Sequence, residues 1–326
     1  MRKGTIILFM GIILFGSSID PGGVFLMIFP GSRATALGGA FAGVEGDVFG
    51  TYYNTASLGF ANKKLIGLQH ANWLPGLWPD MYYEYLAYVH PLKEDLVITG
   101  AFTYITTGET VVHADGEDKG SFRNFDFAIK VAVANKLNDK TSVSLGIKYI
   151  YSFLAPEWVF DIVGMPGTRG GVGRAWAVDI GIFYKVLNNL NIGGAIQNIG
   201  TPLQFVSGGE KDPLPRTLRT GISYLPFEND IHRVMVNADI TKILVGVTSN
   251  LRDEFEDTWK SFGIEYSIFN IFSVRAGYFI DKLGHRVGLT WGIGVHYKTF
   301  RFDVSSDQKI YEFETSNYRL SAQYTF

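Results

Sequence analysis

Tyr318-Arg-Leu-Ser-Ala-Gln-Tyr-Thr-Phe326 is the stretch whose reading decides the architecture. Its side chains alternate strictly. Tyr318, Leu320, Ala322, Tyr324 and Phe326 fall on one side, while Asn317, Arg319, Ser321, Gln323 and Thr325 fall on the other. A period of two predicts a strand with one apolar and one wet face. Terminal residues of soluble domains usually fray. A strand that seals a sheet between lipid and a polar lumen has a reason not to.

The same pattern recurs upstream. Val287, Leu289, Trp291, Ile293, Val295 and Tyr297 alternate with Gly288, Thr290, Gly292, Gly294 and His296. Val143, Leu145, Ile147, Tyr149 and Tyr151 alternate with residues that include Lys148, and Trp176 to Tyr184 alternate with residues that include Asp179. A face that tolerates full charges must meet water or paired charges. Fourteen such segments are expected: 65–72, 82–90, 96–106, 122–135, 141–153, 174–187, 189–199, 216–226, 231–242, 258–269, 271–280, 286–298, 299–307 and 315–326. Tight connections alternate with longer ones at 73–81, 107–121, 154–173, 200–215, 243–257, 281–285 and 308–314. Short turns on one rim and long loops on the other mark a transmembrane up-and-down antiparallel β-barrel. The terminal aromatics Tyr324 and Phe326 resemble the outer-membrane sorting signal of bacterial barrels, implying the barrel-assembly machinery and outer-membrane lipid as partners.

Composition agrees. The chain has 326 residues, with 38 Gly, 25 Phe and 17 Tyr, no Cys and only 18% charged residues. Glycines within strands and aromatics at their ends suit a curved sheet in a bilayer. A net charge of −2 gives no electrostatic reason for a nucleic-acid partner. Zero cysteine removes disulfides and thiolate ligands. Arg2 and Lys3 precede an uncharged run from Thr5 to Gly16, then Ser17 and Ser18. This is the layout of a signal peptide over 1–18; about twelve apolar residues are too few for a spanning helix. Segment 19–60 is too apolar for a free tail and too irregular for strands. Ala34, Leu37, Ala40, Phe41 and Val44 have helical spacing interrupted by Gly38-Gly39 and Gly43. Side chains alone do not fill so wide a barrel, so 19–60, chiefly 22–60, is expected to be a partly helical luminal plug. A flap against the periplasmic mouth is the alternative. Residues 61–326 form the barrel.

Pro30-Gly-Ser-Arg-Ala-Thr-Ala-Leu-Gly-Gly-Ala-Phe41 followed by Tyr53-Asn-Thr-Ala-Ser-Leu58 resembles the N-terminal hallmark of the PorV/PorQ family, within the FadL-like long-chain fatty acid transporters. Leu190–Gly200, Leu214–Tyr224, and Val274–Tyr278 continuing to Tyr297–Asp303 are similar too. The resemblance implies fourteen strands with a luminal hatch that includes Arg33, Leu37, Gly38, Gly39, Phe41 and Asn54. Thr55 stands where the family usually carries proline, which implies a less rigid turn. Two functions are implied and remain open: a conduit for hydrophobic, fatty-acid-like molecules, or an outer-membrane partner of a type IX secretion system that receives exported protein cargo.

Two sets of residues are candidates for function. Trp73, Leu74, Leu77, Trp78, Trp158, Val159 and Phe160 are apolar residues in long loops, suited to ligand or cargo capture; inward folding or an aromatic belt is the bland alternative. Luminal charges, Lys148, Asp179, Arg219, Arg275 and Arg301 among them, are expected to pair with one another and with Arg33, Glu45 or Asp47. An arginine below an apolar pocket would instead hold a carboxylate. No catalytic residue, metal or cofactor is expected. The six histidines lack metal-ligand spacing, and no G-x-S-x-G elbow occurs. Asp115–Gly120 and Asp253–Asp257 read as solvated acidic loops, and Gly170-Gly-Val-Gly-Arg174 as the base of a hairpin.

Overall fold

The computed structural model describes residues 21–75, 80–162, 164–246, 251–282, 284–308 and 316–326. The expected signal peptide, together with Leu77 and Trp78, lies outside them. Among the described residues, fourteen antiparallel strands form one closed barrel in sequence order. They are β1 (Leu65–Asn72), β2 (Tyr82–Pro91), β3 (Leu96–Ala114), β4 (Glu117–Lys136), β5 (Thr141–Phe153), β6 (Val172–Leu187) and β7 (Leu190–Gly200). The second half holds β8 (Thr217–Glu228), β9 (His232–Ile243), β10 (Trp259–Ile268), β11 (Phe272–Asp281), β12 (Arg286–Tyr297), β13 (Phe300–Gln308) and β14 (Ser316–Thr325). β14 closes on β1 in the register Leu65↔Thr325 to Ala71↔Arg319. Closure leaves no unpaired edge, which a bilayer requires.

Burial is inverted relative to a water-soluble protein. Ile147 is 56% exposed while the adjacent Lys148 is 9% exposed. Trp176, Trp291, Leu289 and Leu320 lie exposed on the outer wall, whereas Asp179, Asp303 and Arg319 are buried within. Only an apolar solvent outside and a polar lumen inside make this favourable. Tyr324 packs on Phe300 and Phe326 at one rim, where the Phe326 N–H donates to the Lys64 carbonyl at 3.0 Å. That rim also carries the tight turns, such as Phe269-Asn270, both left-handed. In barrels of this kind it is the periplasmic one.

One expectation fails. The segment 107–121 is not a loop but the continuation of β3 and β4, joined at Asp115-Gly116. Both residues have positive φ, 54° and 77°, as a two-residue hairpin turn demands. The hairpin projects beyond the rim, with a bulge at Gly108 (φ 87°).

Between residue 21 and β1 the chain lies inside the barrel. It forms a 3-10 turn at Val24–Met27, helix α1 (Ser32–Ala36), helix α2 (Gly50–Tyr53) and a second 3-10 turn at Thr55–Leu58. Phe25, Leu37, Phe41, Val48, Tyr53 and Leu58 are fully buried there. This luminal core is where the protein's apolar packing is concentrated. Two further short helices, α3 (Glu157–Ile162) and α4 (Leu251–Glu256), sit in the outer loops.

Candidate functional site

The plug is seated by backbone contact and then fastened by charge. Leu37 and Gly38 press flat on the wall, where a Cβ on Gly277 would sit 2.3 Å from the Gly38 nitrogen. Gly38 has φ 68°, and a Cβ there would fall 2.8 Å from the Tyr278 carbonyl oxygen. Its N–H donates to the Thr290 hydroxyl at 3.0 Å, and that hydroxyl donates to the Ala36 carbonyl at 3.0 Å. Gly39 (φ 83°) makes room for the Phe29 ring. Phe41 and Ala42 donate their N–H groups to one oxygen of Asp239, each at 2.9 Å. Asn54 Nδ2 reaches the Ile182 carbonyl at 2.9 Å while its Oδ1 accepts the Ala56 N–H at 3.1 Å, capping the turn. That cap holds the turn although Thr55 replaces the family's proline.

A neutral chain of six alternating charges ties plug to wall: Asp303, Arg275, Glu265, Arg33, Asp47 and Arg301. Arg275 Nη1 lies 2.7 Å from Asp303, and Arg33 meets Glu265 in a fork of two 2.7 Å bonds. Arg33 and Arg301 share Asp47 at 3.1 and 2.8 Å. Burial alone would lower the Arg33 pKa; Glu265 and Asp47 outweigh it and hold the guanidinium more firmly protonated than usual. On the opposite wall Lys130 and Lys148 flank Asp179 at 2.7 and 3.2 Å, and Lys130 donates to the Thr51 carbonyl of α2. Lys185 pairs with Glu45 at 2.6 Å.

Arg219 has a different environment. It is 1% exposed, and its guanidinium lies 5.1 Å from the ring centres of Phe29 and Tyr53 and 5.8 Å from that of Tyr52. Such faces attract a cation. Its Nε and Nη1 have no hydrogen-bond partner among the described residues.

Two cavities flank α1. The periplasmic one, about 490 Å³, is polar and lined by Arg33, Glu45, Arg233, Glu265, His296 and Arg301. The outer one is small, about 50 Å³, and its walls are Met27, Ile28, Phe29, Trp73 and Phe279, with Thr35, Arg286, Asp307 and Arg319. Arg319 donates to Asp307 at 2.9 Å, but its Nε and the Thr35 hydroxyl are buried without partners.

Of the rim residues, Trp73 and Leu74 turn inward. Trp73 lies over Arg319 at 5.3 Å and beside Tyr83, and the Leu74 N–H donates to Asn317 at 2.6 Å. Trp158, Val159 and Phe160 are half-buried on α3, with Trp158 edge-on to Phe122 of the projecting hairpin. Among the described residues, the rim candidates therefore fall in two groups, Trp73 with its neighbour Leu74 at the outer cavity and Trp158, Val159 and Phe160 on α3. The loop 201–216 reaches over the outer mouth, where Pro213 accepts the Gly22 N–H at 2.9 Å and Leu203 and Leu214 pack near Gly23.

With this geometry in view, the profile of a family described as type IX secretion system protein PorV matches residues 17–250, more than half of the chain. The chain belongs to the PorV family. No curated protein matches it. Among solved structures, the monoaromatic hydrocarbon channel TodX in a deltaS2 mutant form superposes with a TM-score of 0.60 at 14% identity, covering 91% of this chain and 98% of that one. The Pseudomonas putida toluene transporter TodX gives 0.59 at 13% identity, covering 91% and 97%. The Ralstonia pickettii toluene transporter TbuX gives 0.53 at 15%, covering 91% and 97%. At such identities the likeness is one of fold. The family match, together with the closed barrel and its apolar outer wall, makes this PorV-family chain an outer-membrane β-barrel.

Residues missed from the sequence are Phe29, Thr35, Trp259, Phe279 and Asp307. Phe29 stacks edge-on to Phe279 and Trp259 at 5.5 and 5.9 Å. The available signal was a large aromatic on a wet strand face: Phe279 shares its face with Arg275 and Gly277, and Trp259 shares its own with Ser261 and Glu265. Asp115–Gly120 belongs to the hairpin, and no group of three or more metal-ligating side chains occurs among the described residues.

Proposed function

We propose that this PorV-family barrel binds a hydrophobic small molecule at the outer end of its lumen and passes it inward when the plug shifts. The outer cavity carries this reading. Apolar walls with a few convergent polar groups are what sites for such ligands have, and here Thr35 and Arg319 bring polar atoms without partners. An apolar pocket with a cation at its edge matches the chemistry of an aromatic or amphiphilic molecule, which enters once the plug or a wall residue moves. The shared fold of the toluene channels is compatible with that class of ligand. The test is uptake of toluene and of a long-chain fatty acid into proteoliposomes. Saturable uptake, lowered by Arg319→Met, supports the reading; uptake no faster than in empty vesicles rejects it.

A second reading, partner of a type IX-like secretion system that binds exported cargo, is favoured by the family match and by apolar side chains on the outer rim. Leu154 and Met165 are about half exposed beside α3, and such patches call for a partner. Purification from native membranes, with mass spectrometry of retained proteins and extraction of retained lipids, separates the two. Exported proteins without lipid favour the second reading, and bound amphiphile without protein favours the first.

A further inference from the structure

One stretch of the outer wall differs from the rest. A continuous row of rings crosses β3 to β6: Tyr104 to Phe125 at 6.1 Å, Phe125 to Tyr151 at 5.9 Å, Tyr151 to Phe127 at 5.0 Å, Phe127 to Tyr149 at 6.3 Å, and Tyr149 to Trp176 at 5.0 Å. The alternation fixes their direction, because neighbours such as Thr103, Ile150 and Ala175 are buried. Three of these contacts are parallel stacks. On the adjoining strands β7 to β9, the outward residues near the same rim are Ile199, Leu218 and Ile240. Aromatic rings favour the boundary between acyl chains and headgroups.

Cations stand immediately beyond this row. Arg174 is two residues outward of Trp176 on the same face of β6, exposed, with its guanidinium 5.7 Å from the Tyr151 ring centre. Arg123 is two residues outward of Phe125 on β4 and is also exposed. Neither has a carboxylate partner among the described residues. Glu109, opposite Arg123 in the ladder, is held by the Ser121 hydroxyl. Unpaired guanidinium groups at headgroup depth above a stacked apolar wall match a molecule with phosphate at one end and acyl chains at the other.

We propose that the outer face of β3–β6 is a docking site for a phosphate-bearing lipid of the outer leaflet. Arg123 and Arg174 bind its phosphate, and its acyl chains lie along the rings. The occupant is a bilayer lipid rather than a second protein, because the row sits on the lipid-facing wall where acyl chains meet headgroups, and Glu109, the carboxylate opposite Arg123, is already engaged by the Ser121 hydroxyl.

The full barrel is placed in phosphatidylcholine nanodiscs that contain lipid A, or dephosphorylated lipid A, as the probe. Retained lipid is counted by native mass spectrometry, and folding is checked by heat-modifiable gel mobility. The wild type is expected to enrich lipid A over its dephosphorylated form. R123Q/R174Q is expected to lose that enrichment by about thirtyfold, the scale of two interfacial cations at about 1 kcal/mol each. K93Q/K140Q, which removes two charges from the opposite rim, is expected to keep it; single R174Q serves if the double variant folds poorly. Equal retention of both lipids, equal loss in the control, or a second protein held at this face in place of lipid overturns the proposal.

Discussion

Arg33 of the plug and Glu265 of β10 meet in a two-pronged ion pair, with Nε and Nη2 each 2.7 Å from a separate carboxylate oxygen. The pair is buried on both sides, at 7% and 3% side-chain exposure. Such a contact fixes orientation as well as distance, since the planar fork accepts a carboxylate in one way. It lies on the floor between the two cavities, with Arg33 facing the periplasmic cavity and Thr35 the outer one. Movement of α1 would therefore open one cavity toward the other at the cost of breaking this pair.

Arg33→Met should loosen the plug while leaving the wall intact. Removing one partner of a buried pair costs about 3–5 kcal/mol, because the remaining charge is stranded; Arg275 still contacts Glu265 and should moderate the loss. Planar-bilayer recordings should show more frequent openings in the variant, with unchanged heat-modifiable mobility. The double variant R33M/E265M should be less leaky than the sum of the singles. Quiet traces from Arg33→Met would mean that backbone contacts alone hold the plug.

Glycine positions in the plug should separate by contact rather than by φ. Gly38→Ala meets wall carbonyls at 2.8 and 2.9 Å and demands a left-handed alanine. Gly46→Ala has a similar φ of 71° but nothing within 4 Å. The first should release the plug, raising hydrogen exchange across 32–42. The second should cost only about 1 kcal/mol of local strain and leave exchange unchanged. Comparable exchange in both variants would contradict the close seating of Gly38 on the wall.

The barrel was legible because two solvents imprint a period of two on every strand that separates them. The pattern fades where the solvents become one. Residues 107–114 and 117–121 project past the rim and carry Thr107, Glu109, Thr110, Lys119 and Gly120. Water on both faces erased their alternation, so a hairpin with an Asp115-Gly116 turn reads as a loop. Charges in the lumen were visible as residue types, but their pairing was not. Arg33 and Glu265 are 232 positions apart, and only barrel closure and the plug's path bring them together. The outer cavity was least legible, because Phe29 and Phe279 meet across 250 positions of chain and neither sits in a motif.

The outer wall should reject charge where it meets acyl chains. Ile147 lies mid-strand on β5, is 56% exposed, and pairs with Val131 at 57%. Ile147→Arg should cost about 2–4 kcal/mol of folding free energy in a bilayer, read from a urea titration of the reconstituted barrel. Leu154→Arg, equally exposed but beyond the end of β5, should cost almost nothing. A small effect at Ile147 would place that position outside the hydrocarbon layer.

Enlarging the outer cavity should change ligand binding in a direction that identifies the barrier. At about 50 Å³ the cavity is too small for a monoaromatic ring; engineered cavities of about 150 Å³ are needed to hold benzene. A ligand therefore enters the resting barrel only if a wall residue or the plug moves. Phe279 is the residue to shrink, because it packs edge-on against Phe29 at 5.5 Å and against Trp259 at 5.8 Å. Phe279→Ala removes most of that ring and should let toluene bind without plug movement, at a stability cost of up to about 3–5 kcal/mol. Calorimetry should record tighter toluene binding by Phe279→Ala than by the wild type, whereas Thr35→Val, which adds no space, should leave affinity for this apolar probe unchanged. Weaker binding by Phe279→Ala would instead make the ring a direct contact for the ligand and place the barrier elsewhere in the plug.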